Sequence, residues 1–375
     1  MSTTCLPAPI AASPAPAEVA GVRLASMDLA RLAAAYGIVW IHSVRNPALA
    51  GSQALGRFAV PFFVFATVFF VFDGLRRRPE RTFAEYARSR FVRIYLPFLA
   101  WSGIYLLFKL AKGLLLPEQP NEYPGLNVLW TGTAYHLWFL PFILAVSLVA
   151  FGIGKTILGR RHLQPAVFAV AVVAGIVLAA MPTAKLPLPA GIYGRMLAHA
   201  LPAVCWAVAL AIAAGHPAAH RLERPAATVA AGLLAVASTA WVWHRGSAIM
   251  AENLAGLGLM VVALGPSGSA QKQVGHDFIV PGTLESCPTV NTRQSWIRRS
   301  LTTGWLRRLG TLGPLAYGIY LAHLLFIKVF EALTVKLGLA VTWELDVGVF
   351  LLAAAGSTWL AWGLSRRPST RWLVA

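Results

Sequence analysis

The sequence predicts an all-α integral membrane protein, a bundle of about ten transmembrane helices with both termini cytoplasmic. Three observations carry this prediction. The chain is 57% hydrophobic and 12% charged over 375 residues, too apolar for a soluble protein of that length. Its apolar residues fall in runs long enough to cross a hydrocarbon core, which takes about 20 helical residues. Arginine and lysine gather in every second connection between those runs, as the positive-inside rule requires of cytoplasmic loops.

Residues 1–25 are rich in Ala and Pro. They lack the basic start and apolar core of a cleavable signal, so they are expected to form a disordered cytoplasmic tail. Ten apolar segments follow, at about 27–44, 54–75, 94–116, 135–157, 164–181, 194–214, 226–244, 247–265, 309–332 and 344–364. The connection after the second holds Arg76, Arg77, Arg78, Arg81, Arg88, Arg90 and Arg93, which assigns it to the cytoplasm. The alternate connections agree, with Lys155, Arg160 and Arg161, then Arg221 and Arg224, then Lys272 and Arg293 to Arg308. The opposite side is poorer in basic residues and carries Glu118, Glu122, Glu331, Glu344 and Asp346. A transmembrane domain over 26–364 is thus expected, with a polar cytoplasmic loop at 266–303 and a short basic tail at 365–375. Residues 79–93 alternate charged with aromatic and aliphatic residues at helical spacing, the pattern of an amphipathic helix at the membrane surface.

A formal charge of +18 would suit nucleic acid if it formed one patch. Here it is divided into short clusters between apolar runs, so membrane lipids, and no nucleic acid, are the expected partners. Cys5, Cys205 and Cys287 have no metal-ligand spacing, and no metal is expected. The oligomeric state is not legible in the sequence.

The first apolar segment carries Asp28, Arg31 and His42 where apolar residues would be cheaper, and ionisable side chains at membrane depth are functional candidates by default. Arg31 and His42 are eleven residues apart, which returns to nearly the same helix face about three turns and roughly 16 Å further along. Asp28 precedes Arg31 by three, a spacing that supports an ion pair on that face. The competing account has Asp28 and Arg31 snorkelling at the interface and His42 bonding a backbone carbonyl.

Four motifs carry a family resemblance. Arg31 with His42 fits an Arg, ten residues, His pattern. Arg90-Phe-Val-Arg93-Ile-Tyr-Leu-Pro97 resembles a basic segment ending in Arg-Ile-Tyr-Pro, here with Leu96 inserted before Pro97. Tyr135-His136-Leu137-Trp138-Phe139-Leu140 is similar to a His-Leu-Trp-Phe-Leu helix opening. Tyr317-Gly-Ile-Tyr320-Leu-Ala-His323 matches a Tyr-Leu-x-His sequence near the C terminus. In this order, on this frame, they resemble the integral membrane acyltransferase 3 family over most of residues 26–364. The resemblance implies an O-acyltransferase in the bacterial cytoplasmic (inner) membrane. It would move an acyl group, mostly acetyl, from cytoplasmic acetyl-CoA or another acyl-CoA to a hydroxyl of an extracytoplasmic saccharide, glycolipid or other acceptor. The 266–303 stretch departs from the family pattern, and a step performed by the hydrolase-like domain that some members append is not expected.

Acyl transfer from a thioester to a hydroxyl needs a base for the hydroxyl proton and a donor for the developing oxyanion. His42 is the expected base, since imidazole titrates near neutrality, or else a covalent acyl carrier. Arg31 would hold the donor or balance charge as the thiolate leaves, with Asp28 supporting it. Arg90 and Arg93, and beside them Arg88, are candidates for the coenzyme A phosphates; membrane anchoring accounts for the other arginines of this loop. His136 and Trp138 are candidates for acceptor recognition, against an ordinary aromatic belt that also explains Tyr135. Tyr320 and His323 would orient substrate, or form a hydrogen bond between packed helices. Two rivals stay open. One is a secondary transporter or flippase for an anionic solute, although the paired interrupted helices of repeated halves are not visible. The other is transfer of a succinyl or longer acyl group.

Overall fold

The computed structural model describes residues 25–115, 125, 127–182, 192–216, 224–246, 248–265 and 312–374. Of the expected tail over 1–25, residues 1–24 lie outside the described residues and Ala25 begins α1; the polar loop at 266–303 lies outside them too. Among the described residues the chain is helical throughout. Its main elements are α1 (Ala25–Ser43), a short α2 (Ala54–Arg57), α3 (Ala59–Arg77), α4 (Phe83–Arg90), α5 (Leu96–Leu115) and α6 (Phe139–Leu158). They continue as α7 (Gln164–Ala180), α8 (Ile192–Ala214), α9 (Pro225–Arg245), α10 (Ile249–Leu264), α11 (Ala316–Lys336) and α12 (Trp343–Arg366).

Eight helices among the described residues are long and apolar enough to cross a membrane. Two of the ten segments read from the sequence fall outside that set. α10 spans only 16 residues, and α1 carries Asp28, Arg31 and His42 within its 19 residues.

α1 and α3 form the centre. α1 packs on α11, α12, α2, α3 and α10, while α3 packs on α8, α6 and α10. The buried interior runs along α3 through Phe62, Phe65 and Phe72 to Trp101 of α5 and Phe151 of α6. By contrast α7 buries only Ala171 and Gly175, and α9 only Ala231, Ser238 and Val242. These two helices are apolar all round and turn most of that surface outward, as lipid-facing helices do. Close approach at the centre relies on small residues: a side chain on Gly56 would collide with the Gly37 carbonyl and with Ile41, so α2 rests directly on the α1 backbone.

The ends of the bundle differ. At one, Ser26 Oγ donates to the Ala263 carbonyl at 2.8 Å, Arg76 donates to the Ala211 carbonyl and Lys155 to that of Pro79. The arginine-rich segment lies here. At the other, the carboxylate of Asp346, fully buried, accepts from the backbone N–H groups of Arg45 and Asn46, each at 2.7 Å. That bond pair fixes the turn that follows His42 to the start of α12. The residues read as a basic C-terminal tail are docked: Trp101 donates to the Leu373 carbonyl at 3.1 Å and Val374 is buried.

The expected amphipathic helix is α4 followed by one π turn. Thr82 and Glu85 form a reciprocal capping box at its start, which satisfies two N–H groups that a helix leaves free. Phe91–Tyr95 then widens, with the Leu96 N–H reaching back five residues to the Phe91 carbonyl. Pro97 has no N–H to offer the Arg93 carbonyl, so an α-helical ladder cannot run unbroken through this motif.

Candidate active site

His42 lies in the last turn of α1. Its Nδ1 is 2.7 Å from the Tyr135 hydroxyl, and its ring stacks on His323 with centroids 5.4 Å apart and planes inclined by 14°. His136 meets His323 edge-on at 5.0 Å. Three imidazoles and a phenol, from three segments distant in sequence, thus form one centre. His136 and His323 are buried, whereas His42 is half-buried. Among the described residues no hydrogen bond engages the His42 Nε2 edge.

Local structure places each member. Gly132, at φ +74°, turns the chain where any side chain would strike Leu137 and Phe98; an L-residue is strained at that φ. Thr133 Oγ1 then donates to the Ser102 carbonyl at 2.6 Å, and the Tyr95 hydroxyl donates to the Leu129 carbonyl at 3.2 Å. These bonds lay the segment carrying Tyr135 and His136 along α5. On α11 the His323 Nδ1–H donates to the Tyr320 carbonyl at 2.7 Å, since a carbonyl only accepts. The Tyr320 hydroxyl donates to the His136 carbonyl. Tyr320 thus binds the backbone of His136 on another segment, while its bond with His323 lies within α11.

Several buried polar atoms are left over. Among the described residues His323 Nε2 and both ring nitrogens of His136 make no hydrogen bond of good geometry. The Leu321 carbonyl, which acts on His136, already takes the Tyr105 hydroxyl at 2.8 Å. Each unsatisfied buried group costs about 1–3 kcal/mol, and native proteins keep such groups where a ligand or water completes them.

Arg31 does not join this centre. Its Nη1 is 3.4 Å from Asp28 Oδ1, and its guanidinium lies over the Phe70 ring at 5.0 Å. Both sites share a helix, yet the rise of roughly three turns keeps them apart. Trp138 is buried, but packs on Phe139 and Phe142 and not on an imidazole; it fixes the start of α6. Arg90 and Arg93 share a cleft of about 530 Å³ with Arg78, Glu80, Arg81, Glu85 and Ser89. Arg88 faces a separate, shallower hollow with Arg93. The Arg90 Nε–H donates to the Tyr86 hydroxyl at 2.9 Å, and Arg81 lies over the Tyr86 ring at 5.1 Å. Tyr86 in turn stacks on Phe151 at 4.4 Å, so the exposed cleft is anchored to the core. Among the described residues no group of three or more His, Cys, Asp or Glu side chains is placed to hold a metal ion.

Reasoning from sequence missed Tyr135 as the partner of His42, and Arg78 and Arg81 as walls of the cleft. No local signal separates Tyr135 from an interfacial tyrosine, because its role comes from α1 packing nearby. Arg78 and Arg81 sit within a run whose composition is explained by orientation alone.

Fold and site together define a multi-pass membrane protein with an imidazole centre inside the bundle and an arginine cleft at one end. The model of a family described as the Acyltransferase domain matches residues 24–274, more than half of the chain. The protein belongs to this acyltransferase 3 family and is a membrane acyltransferase. No curated protein and no solved structure matches it. Tyr320 and His323 lie beyond the matched residues, and packing alone brings them to His42.

Proposed function

We propose that the protein transfers an acyl group, most simply acetyl, from cytoplasmic acyl-CoA to a hydroxyl of an extracytoplasmic saccharide or glycolipid, in a bacterial inner membrane. The observation that carries this reading is the half-buried His42, bonded through Nδ1 to Tyr135 with no hydrogen-bond partner on Nε2 among the described residues. With Nδ1–H donated to the phenol oxygen, Nε2 is the lone pair that takes the acceptor proton. His136 and His323, with nitrogens unsatisfied in the resting centre, supply polar partners for the acceptor or for the developing oxyanion. Arg90 and Arg93, joined by Arg78 and Arg81, match the phosphates of the donor. Arg31, paired with Asp28, lies between the two regions along α1 and offsets negative charge as the thiolate departs.

The test supplies radiolabelled acetyl-CoA to inside-out vesicles that contain the cell's own surface saccharide, and compares wild type with His42→Ala. Label in saccharide with wild type alone is the expected result. Absence of transfer from acetyl-CoA and longer acyl-CoAs, with folded protein present, would overturn the reading.

A further inference from the structure

α5 sends one hydroxyl into α11 beside the histidine centre, and the scheme above gives it no part. Tyr105 is buried. Its hydroxyl donates to the Leu321 carbonyl at 2.8 Å and accepts from the Leu325 N–H at 3.1 Å. Both partners lie within α11. In an α-helix the N–H of each residue bonds the carbonyl four residues earlier, so Leu325 and Leu321 are the two ends of one rung of the ladder, and the hydroxyl stands across it. His323 is the middle residue of that turn. The preceding carbonyl, of Tyr320, takes the His323 Nδ1–H at 2.7 Å, so two successive carbonyls of this turn receive side-chain donors. The Tyr105 ring meets the His136 imidazole edge-on, with centroids 5.3 Å apart and planes inclined by 82°, and His136 in turn meets His323 at 5.0 Å.

The rung needs no third group. Leu321 and Leu325 can satisfy each other, and phenylalanine would fill the same space with no polar atom to bury. What a hydroxyl across the ladder changes is geometry, because a side chain inserted between the two ends of a rung bends the helix there. We infer that Tyr105 is a positioning residue for the proposed acyl transfer: across the Leu321–Leu325 rung it sets the backbone of the turn that carries His323, and with its ring it sets His136, so that the two imidazoles meet the acceptor together. This inference rests on the proposed acyl transfer at His42. Among the described residues His323 Nε2 and both His136 ring nitrogens make no hydrogen bond of good geometry, so these atoms are aimed by where the rings are held. His323 Nδ1 is tied to its own turn, and a shift of that backbone moves the ring with it. The His323 ring stacks on His42 at 5.4 Å, which brings the effect to the base.

The experiment uses the vesicle transfer described above with wild type, Tyr105→Phe and, from the same helix, Trp101→Phe, whose indole N–H donates to the Leu373 carbonyl in the wild type. For Tyr105→Phe the expected result is a kcat about tenfold lower at saturating acetyl-CoA and saccharide, within the loss that a small misplacement produces. Its acetyl-CoA KM should be unchanged, since the arginine cleft is untouched, and its thermal midpoint unchanged, since the rung closes on itself. Trp101→Phe should do the reverse, with a lower midpoint and wild-type kcat, because the Leu373 carbonyl loses its donor and no imidazole is moved. A wild-type kcat, a lowered midpoint or a failure to fold in Tyr105→Phe would overturn the positioning role, as would an equal loss of kcat in Trp101→Phe. Each of these outcomes leaves the acyltransferase reading intact, whereas absence of transfer by wild type would overturn both.

Discussion

The two ends of the bundle solve opposite problems. The histidine centre is packed from rings, with imidazoles 5.0 and 5.4 Å apart, and one 2.7 Å hydrogen bond each orients His42 and His323. The arginine cleft is open to solvent, and the guanidinium groups of Arg81 and Arg90 lie on Tyr86, itself stacked on the core. The first places a few atoms accurately; the second gathers charge over a wide mouth. In water a pair of charges at contact is worth about 1 kcal/mol, and salt weakens it further, so a mouth needs several cations where an interior needs one well-held nitrogen.

The comparison predicts a graded series. His42→Ala should reduce label transfer by about 100-fold or more, the usual loss when a general base is removed, with the acyl-CoA KM little changed. The double variant Arg90→Ala, Arg93→Ala should instead raise the acyl-CoA KM by about tenfold, and the wild-type KM should itself rise with salt, as expected of charge-assisted contacts at an exposed mouth. Equal KM values for that variant and wild type would break the contrast between the ends. Tyr135→Phe, which removes one hydrogen bond of about 1 kcal/mol, should lower the transfer rate about fivefold with no change in KM for the donor. Asp346→Ala should act on stability before activity: two backbone N–H groups lose their acceptor at a cost of about 1–3 kcal/mol, read as a lower thermal midpoint. The smallest effect is expected for Arg88→Ala, which should change the acyl-CoA KM less than about twofold because its side chain faces the outer hollow.

How much was legible differs between these ends too. Arg90 and Arg93 are three apart on a helical segment, and a shared face follows from the helix repeat; the structure places both in one cleft. His42 and Arg31 likewise share a helix, three turns apart, and Arg31 is held by Asp28, as the spacing of three suggests, and by Phe70, which the spacing does not reveal. His136 and His323 were visible as polar residues in apolar segments. Their meeting was not, since 187 residues separate them in the sequence. Tyr105 reaches Leu321 from 216 residues away, and no motif includes it.

The sequence by itself determined the helical membrane class, the apolar segments and the candidate histidines, because a lipid solvent imposes long hydrogen-bonded runs and makes every polar exception conspicuous. Only the tertiary structure decided which exceptions meet. Helices in a bilayer associate through close packing and scattered polar contacts, and the contact of Gly37 with Gly56, the hold of Asp346 on the turn after His42, and the choice of Tyr135 as its partner depend on surfaces that no single helix displays.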